Sequence, residues 1–251
     1  MPLPWRWIAP IEAPGAFQMA CDAWLLDQLV QGQGTPVLRF YRWSRPTLSL
    51  GFHQRRLEPH WPALVRDGGL DVVRRPSGGR AVLHAGELTY ALVQPALSGR
   101  RVDTYTQACQ WLQQAFAGLG QPLQFGQTGG GDAQQRSSCF ASNTAADLIH
   151  GNGAKRIGSA QLWRQGYVLQ HGSVLIHPPG ALWERVFGEA PPSLPPLVLS
   201  WQQLAEALRR AAEQHLCGGV LQEQPLSAAE WEAVERLSPA YRATAAELLN
   251  S

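Results

Sequence analysis

The 251-residue sequence is nearly devoid of lysine: of its 21 Lys and Arg residues, 20 are arginine and Lys155 alone is lysine. A general drift from Lys to Arg accounts for the ratio but not for the one residue that stays. Lysine can lose its proton when desolvated, whereas arginine remains charged. A position that needs a titratable amine cannot be filled by arginine, which singles out Lys155. Charge of either sign is also scarce, at 16% of residues with a formal net charge of +2. A dedicated nucleic-acid-binding domain usually concentrates basic residues on one face, so no nucleic-acid partner is expected. No apolar run reaches the length of a membrane span. The start, "MPLPWRWIAPIEAPGAF", lacks the basic opening and continuous apolar segment of a secretory signal. A cytoplasmic, monomeric protein with no membrane partner is expected.

Several motifs are missing too. The four cysteines (Cys21, Cys109, Cys139, Cys217) form no CxxC pair, which argues against a metal cluster or a disulfide framework. GxxxxGK(S/T) is absent, as is GxGxxG after a strand, so neither common nucleotide-binding loop is present. GxSxG and HExxH are absent as well, which removes the serine nucleophile elbow and the two-histidine zinc helix.

What remains is 45% hydrophobic, enough to fill a substantial core. "WRWIAPI" reads as a strand, followed by a helix over about 16–31. "VLRFYRW" and "TLSLGF" read as strands joined by a turn at Ser44-Arg45-Pro46. A short helix runs through "EPHWPALVRDGG" to a Gly68-Gly69 stop. "LDVVRR", "RAVLH" and "ELTYALV" follow as strands, then a helix over about 104–119. Residues 126–136, "GQTGGGDAQQR", read as a mobile loop. "TAADLIH", "AKRIGSAQLWRQ" and "YVLQHGSVLIH" read as an antiparallel series. Helices at about 201–217 and 228–236, and one more near the C-terminus, complete the chain. Strands segregated from helices predict an α+β fold, with mixed, mainly antiparallel sheets flanked by helices. One domain over residues 1–251 is expected, with its core over about 5–190 and helices over about 200–250 packed on it.

Two stretches could carry chemistry. In "RRPSGGRAVLHAGELTYALV", Gly78 and Gly79 permit a tight turn and close ligand approach. Strand alternation can bring Arg80 and His84 to one face. Arg74, Arg75 and Arg80 could meet an anion at that turn, or could tip a solvated hairpin. In "GNGAKRIGSAQLWRQGYVLQHGS", Lys155 opens a strand, Gly158, Ser159 and Ala160 leave the backbone accessible, and His171 lies on the next strand. Cys21 and Cys109 lie in helical patterns and Cys217 at a helix end, so all three read as core residues. Cys139, in "QRSSCFASN", does not. A thiol becomes a good nucleophile when a neighbouring cation stabilises its thiolate or a neutral amine takes its proton. Lys155, sixteen positions on, could do either.

These pieces together resemble a known family. "RRPSGGRAVLHAGELTYALV" is similar to the RRxxGGxxVxH signature of the lipoate-protein ligase and octanoyltransferase family, which includes the biotin protein ligases. "GAKRIGSAQLWRQGYVLQHGSVLI" resembles its second signature, and "RSSCFASNTAADL" resembles the cysteine-bearing segment of its cysteine-dependent octanoyltransferases. The resemblance implies a biotin/lipoyl protein ligase-like catalytic domain. It implies octanoyl transfer from octanoyl-acyl carrier protein, through a thioester on Cys139, to a lysine of a lipoyl domain or of the glycine-cleavage carrier protein. Lys155 would stabilise the thiolate or shuttle protons. Substrate contacts are implied for Arg75, Ser77, Gly78, Gly79, Arg80, Ala81, His84, Gly158, Ser159, Ala160, His171 and Gly172. No cofactor and no metal would be needed. The rival readings are an ATP- and Mg-dependent lipoate ligase, an octanoyl amidotransferase between lipoyl domains, and a non-catalytic acyl-domain binding protein.

Overall fold

The computed structural model describes residues 4–96, 101–126, 138–141 and 147–249. The 126–136 loop expectation falls, apart from Gly126, outside the described residues. Strand β1 (Trp5–Ala13) leads through helix α1 (Gly15–Val30) to β2 (Val37–Trp43), and the two strands pair in parallel. Gly15 permits this close entry, because a Cβ there would lie 2.6 Å from the Trp43 ring. The chain continues through β3 (Thr47–Leu50), α2 (Trp61–Arg66), β4 (Asp71–Arg74), β5 (Val82–His84), β6 (Glu87–Pro95) and α3 (Arg101–Gly118). Next come β7 (Gln124–Phe125), β8 (Leu148–Ile149), β9 (Lys155–Arg164), β10 (Tyr167–Leu175) and α4 (Gly180–Phe187). The last elements are α5 (Trp201–His215), β11 (Leu221–Glu223), α6 (Ala228–Leu237) and α7 (Ala245–Leu249).

The strands form a large mixed sheet, in the order β11-β1-β2-β6-β10-β9-β8-β7, and a small one, β4-β3-β5. Side-chain alternation divides the large sheet's two faces. Leu38, Phe40, Leu88, Tyr90 and Leu92 pack with Trp111 and Leu112 of α3 and Leu204 and Leu208 of α5. Val37, Tyr41, Ala91, Val93 and Leu169 pack instead with Phe17, Leu25 and Leu26 of α1. The small sheet has its own core, in which Leu48, Leu50, Val72 and Leu83 meet Trp61, Phe140 and Trp183.

The turn at Ser44-Arg45-Pro46 does not close a hairpin. It hands the chain from the large sheet to the small one, because β2 pairs with β1 and β6 while β3 pairs with β4 and β5. The C-terminal region is tied in on both sides. β11 extends the large sheet beside β1, and Arg6 on β1 makes an ion pair of 2.7 Å with Glu230 on α6. Ala243 donates its backbone N–H to Val72 O at 3.0 Å, at the edge of the small sheet.

One buried pair makes stability depend on pH. His150, after β8, accepts a 2.9 Å hydrogen bond at Nε2 from Arg156 Nε, so that nitrogen cannot carry a proton. Burial, with the Arg156 charge adding to it, pushes the His150 imidazole down to about 4. An unfolded histidine titrates near ~6.5. Between these values the unfolded chain binds a proton that the folded chain refuses, so stability falls as pH drops from about 6.5 towards 4. At pH 5 the loss from this group is expected to reach roughly 2 kcal/mol. His150→Gln keeps an acceptor but does not titrate. Urea midpoints at pH 7.5 and pH 5 should therefore lie closer together in the variant than in the wild type.

Candidate active site

A mainly apolar cavity lies between the two sheets, with Cys139 on its wall. Its wall is mainly apolar and backbone, drawn from α1 (Met19), β2 (Tyr41, Trp43), β5 (Val82) and the Gly158–Ala160 stretch of β9. Glycine keeps that wall thin. At Gly172 a Cβ would lie 2.5 Å from both Ser159 Oγ and the Tyr90 ring. Tyr90, Ser159 and Gln170 are already joined there, by Tyr90 Oη–Ser159 Oγ at 2.7 Å and Gln170 Nε2 donating to Tyr90 Oη at 2.8 Å.

Cys139 begins a 3-10 turn, Cys139–Ala141, held against the glycine-rich segment. Ser138 bridges Ala81, and Cys139 N–H donates to Ala81 O at 2.9 Å. Phe140 anchors the turn, with its ring edge-on to Trp183 at 5.9 Å. Lys155, the first residue of β9, is only 2% exposed. Its Nζ donates to Cys139 O at 2.8 Å, lies 3.7 Å from Cys139 Sγ, and makes a 2.9 Å ion pair with Asp147 Oδ1. Gly158 leaves room for this side chain, because a Cβ there would meet Lys155 Cε at 2.8 Å and Nζ at 3.3 Å. The expected neighbours thus lie side by side, Cys139 on the cavity wall and Lys155 just behind it. The carboxylate that completes them, Asp147, carried no signal in the sequence beyond being an acid eight residues before the lysine.

The other three cysteines are buried, and burial pushes their thiols up, to about 11 for Cys21 and about 12 for Cys109 and Cys217. They are poorly disposed to form thiolates. Cys139 is the half-buried one, and it faces the cavity.

Both histidines line the cavity, each inside a polar chain that sequence alone did not reveal. His84 Nδ1 lies 3.0 Å from Glu87 Oε1, and its Nε2 lies 2.8 Å from Ser49 Oγ. Burial pushes the His84 imidazole down despite Glu87, so the ring is neutral: Nδ1 donates to the carboxylate and Nε2 accepts from the hydroxyl. Trp43 stacks on that ring at 3.8 Å. His171 Nδ1 lies 2.9 Å from Asp22 Oδ2, and its Nε2 is hydrogen-bonded to Ser77 Oγ. Asp22 is held in turn by Tyr41 Oη at 2.9 Å and Arg39 Nε at 3.2 Å. These chains cross from the small sheet and its turn to the large sheet and α1. They fix the width of the cavity.

The structure brings Arg75, Gly79, His84, Gly158, Ser159, Ala160, His171 and Gly172 to the cavity wall with Cys139. Lys155 stands immediately behind that wall. It does not place Ser77, Arg80 or Ala81 there among the described residues. Ser77 supports His171 from behind, Ala81 is core and offers its carbonyl to Cys139, and Arg80 precedes β5 instead of sharing a strand face with His84. Gly78 belongs to an adjoining open cleft, with Arg74, Arg101 and Arg164. Arg74 and Arg75 are held by different backbone partners and not by one anion site. Arg74 donates to Gly51 O and Gln54 O, while Arg75 turns inward.

The chain matches the lipoyl protein ligase A/B catalytic domain over residues 14–193. A relative from Carboxydothermus hydrogenoformans named octanoyltransferase LipM is 40% identical over 176 residues, covering 68% of this chain and 65% of that protein. The match thus spans slightly under two thirds of that relative's length. A relative of the same name from Kyrpidia tusciae is 33% identical over 268 residues, covering 95% of this chain and 96% of its own. The fold is shared with a lipoate-protein ligase A bound with ATP, at a TM-score of 0.76 and 21% identity over 93% of this chain and 94% of that one. It is also shared with a bi-partite lipoate protein ligase from Thermoplasma acidophilum, at a TM-score of 0.71 and 18% identity over 94% and 92%. The two signatures in their sheet positions and the match across most of the chain lead to one conclusion: this protein belongs to the lipoyl protein ligase A/B catalytic-domain family.

Proposed function

We propose that the protein is an octanoyltransferase that moves an eight-carbon acyl group from an acyl carrier protein, through a thioester on Cys139, to a lysine of a lipoyl carrier domain. The observation that carries this reading is Cys139 Sγ at 3.7 Å from Lys155 Nζ, beside an apolar cavity. The Cys139 thiolate attacks the donor's thioester carbonyl, a new C–S bond forms, and the carrier's thiolate leaves with a proton from Lys155. The acceptor's neutral amine then attacks the acyl-cysteine and gives a proton back to Lys155. An amide forms and the Cys139 thiolate returns. The sum is one thioester and one amine converted to one amide and one thiol, with no nucleotide or metal required. Burying about seven chain carbons stabilises the bound acyl group by roughly 5 kcal/mol, with few polar contacts needed. The cleft with Arg74, Arg101 and Arg164 adjoins the turn and suits the phosphate of the donor's arm.

The test mixes the enzyme with a lipoyl domain and, in separate arms, octanoyl-acyl carrier protein alone, free octanoate or lipoate with ATP and Mg, or an octanoylated glycine-cleavage carrier. The mass of the lipoyl domain is the readout. Modification in the first arm is expected. Modification only with ATP points to a ligase, only with the acylated carrier to an amidotransferase, and in no arm to a binding protein.

Gly158→Ala offers a finer check. Its Cβ would sit 2.8 Å from Lys155 Cε, a flexible side chain that can give way. Displacing Lys155 strains its buried 2.9 Å pair with Asp147, so part of the stability should be lost, while transfer should fall further, by about 10²-fold, as an ångström's misplacement of a reacting group can cause. Thermal melting and initial rates on the same sample check both halves.

A further inference from the structure

We propose that Arg75 supplies the positive charge that balances the Cys139 thiolate, leaving Lys155 free to carry protons. Lys155 is close to the sulfur, but it is in a buried ion pair with Asp147 at 2.9 Å. As a unit that pair brings no net charge to Cys139. Arg75 is different. It is 5% exposed, and its guanidinium is bonded only to neutral oxygens. Nη2 donates to Gly78 O at 2.8 Å and to Arg80 O at 2.7 Å, while Nη1 donates to Ser49 O at 2.8 Å and to Ser49 Oγ at 3.3 Å. Nε donates to Gly78 O at 3.2 Å. Among the described residues no carboxylate lies within ion-pair distance of it.

The same segment links Arg75 to the sulfur. Arg75 Nη2 takes the carbonyl of Arg80, and Cys139 N–H takes the next carbonyl, that of Ala81. Both residues line the same cavity. Burial pushes the guanidinium down to about 10, and the Cys139 charge acts in the opposite direction. Arg75 therefore stays cationic at neutral pH. The other charged and titratable groups around the cavity are already engaged. Glu87 is reached from Arg75 only across Ser49 and the neutral His84 ring. Asp22 is shared by His171, Tyr41 and Arg39. A thiolate at 139 is the missing anion of a buried cation.

This inference rests on Cys139 as the nucleophile, but its test needs no acyl donor, so the two readings can fail separately. Alkylation of Cys139 by iodoacetamide is followed across pH, with the modified residue located by peptide mapping. A nearby opposite charge typically moves a titration by ~1–3 units. Arg75→Met should shift the alkylation profile upward by about one unit, a roughly tenfold slower reaction at its lower end. Arg75→Lys also loses the forked hydrogen bonds, yet it keeps the charge and should hold the profile in place. Equal shifts in both variants would reduce Arg75 to a brace for the turn and overturn the proposal. Lys155→Met/Asp147→Asn removes the neutral pair and leaves the Arg75 turn intact, so it decides the matter even if Arg75→Met does not fold. It should keep the wild-type profile. A rise there as large as that expected for Arg75→Met would assign the charge to Lys155 instead.

Discussion

Cys139→Ala is expected to abolish octanoyl transfer, by 10³-fold or more, while the protein melts within a few degrees of the wild type. Removing a nucleophile eliminates the covalent route, and what survives is binding alone. The structural cost is small for a physical reason. Cys139 is half-buried, and its turn is held by backbone and by its neighbour, not by the thiol: Cys139 N–H reaches Ala81 O, Lys155 reaches Cys139 O, and Phe140 fills the core. All three contacts persist with alanine. Transfer rates and a melting curve check the prediction, and comparable losses of stability and activity would show that the cysteine is structural.

Substitution at Lys155 should separate stability from activity in another way. Lys155→Met leaves the Asp147 carboxylate buried without its 2.9 Å ammonium partner. Breaking one side of a buried pair typically costs about 3–5 kcal/mol. Lys155→Met/Asp147→Asn removes the stranded charge and should recover most of that stability. It should not recover transfer, because no group remains to give a proton to the leaving thiolate and take one from the incoming amine, a loss of roughly 10²–10⁴-fold. Lys155→Arg keeps a charge, but a guanidinium does not titrate usefully, and the slot beside Gly158 is shaped for a lysine. It should be nearly as inactive. Denaturant unfolding and single-turnover rates on the three variants test the separation. Near-normal turnover in Lys155→Arg would remove proton handling from the account.

Much of the frame was legible because local pattern and pairing agree. The "AKRIGSAQLWRQ" and "YVLQHGSVLIH" strands form the β9–β10 pair, and the apolar alternation in "ELTYALV" sorts residues to the two faces of β6. Cys139 and Lys155 were legible as a pair because one is the lone lysine and the other the one cysteine outside an apolar pattern. The Ser44-Arg45-Pro46 turn was legible as a link between two strands, but not its destination, because a proline turn looks the same whether it closes a hairpin or passes the chain to a second sheet. Burial by distant elements decides that outcome. The glycine-rich arginine segment left its direction open in the sequence. Its composition suits a charged tip, yet the carbonyls of Ser49, Gly78 and Arg80 converge inward and draw Arg75 with them. Asp22, which orients His171, was hidden for a simpler reason. Asp22 lies 149 positions from His171 in the chain, so no spacing rule connects them.

Octanoyl-acyl carrier protein, added to the enzyme with neither ATP nor an acceptor, gives the most direct measurement: the intact mass of the enzyme. Gain of one octanoyl group, released by hydroxylamine and mapped to the peptide bearing Cys139, is the predicted result. An unchanged mass with that donor, together with acyl-adenylate formation once ATP and free acid are supplied, would contradict it.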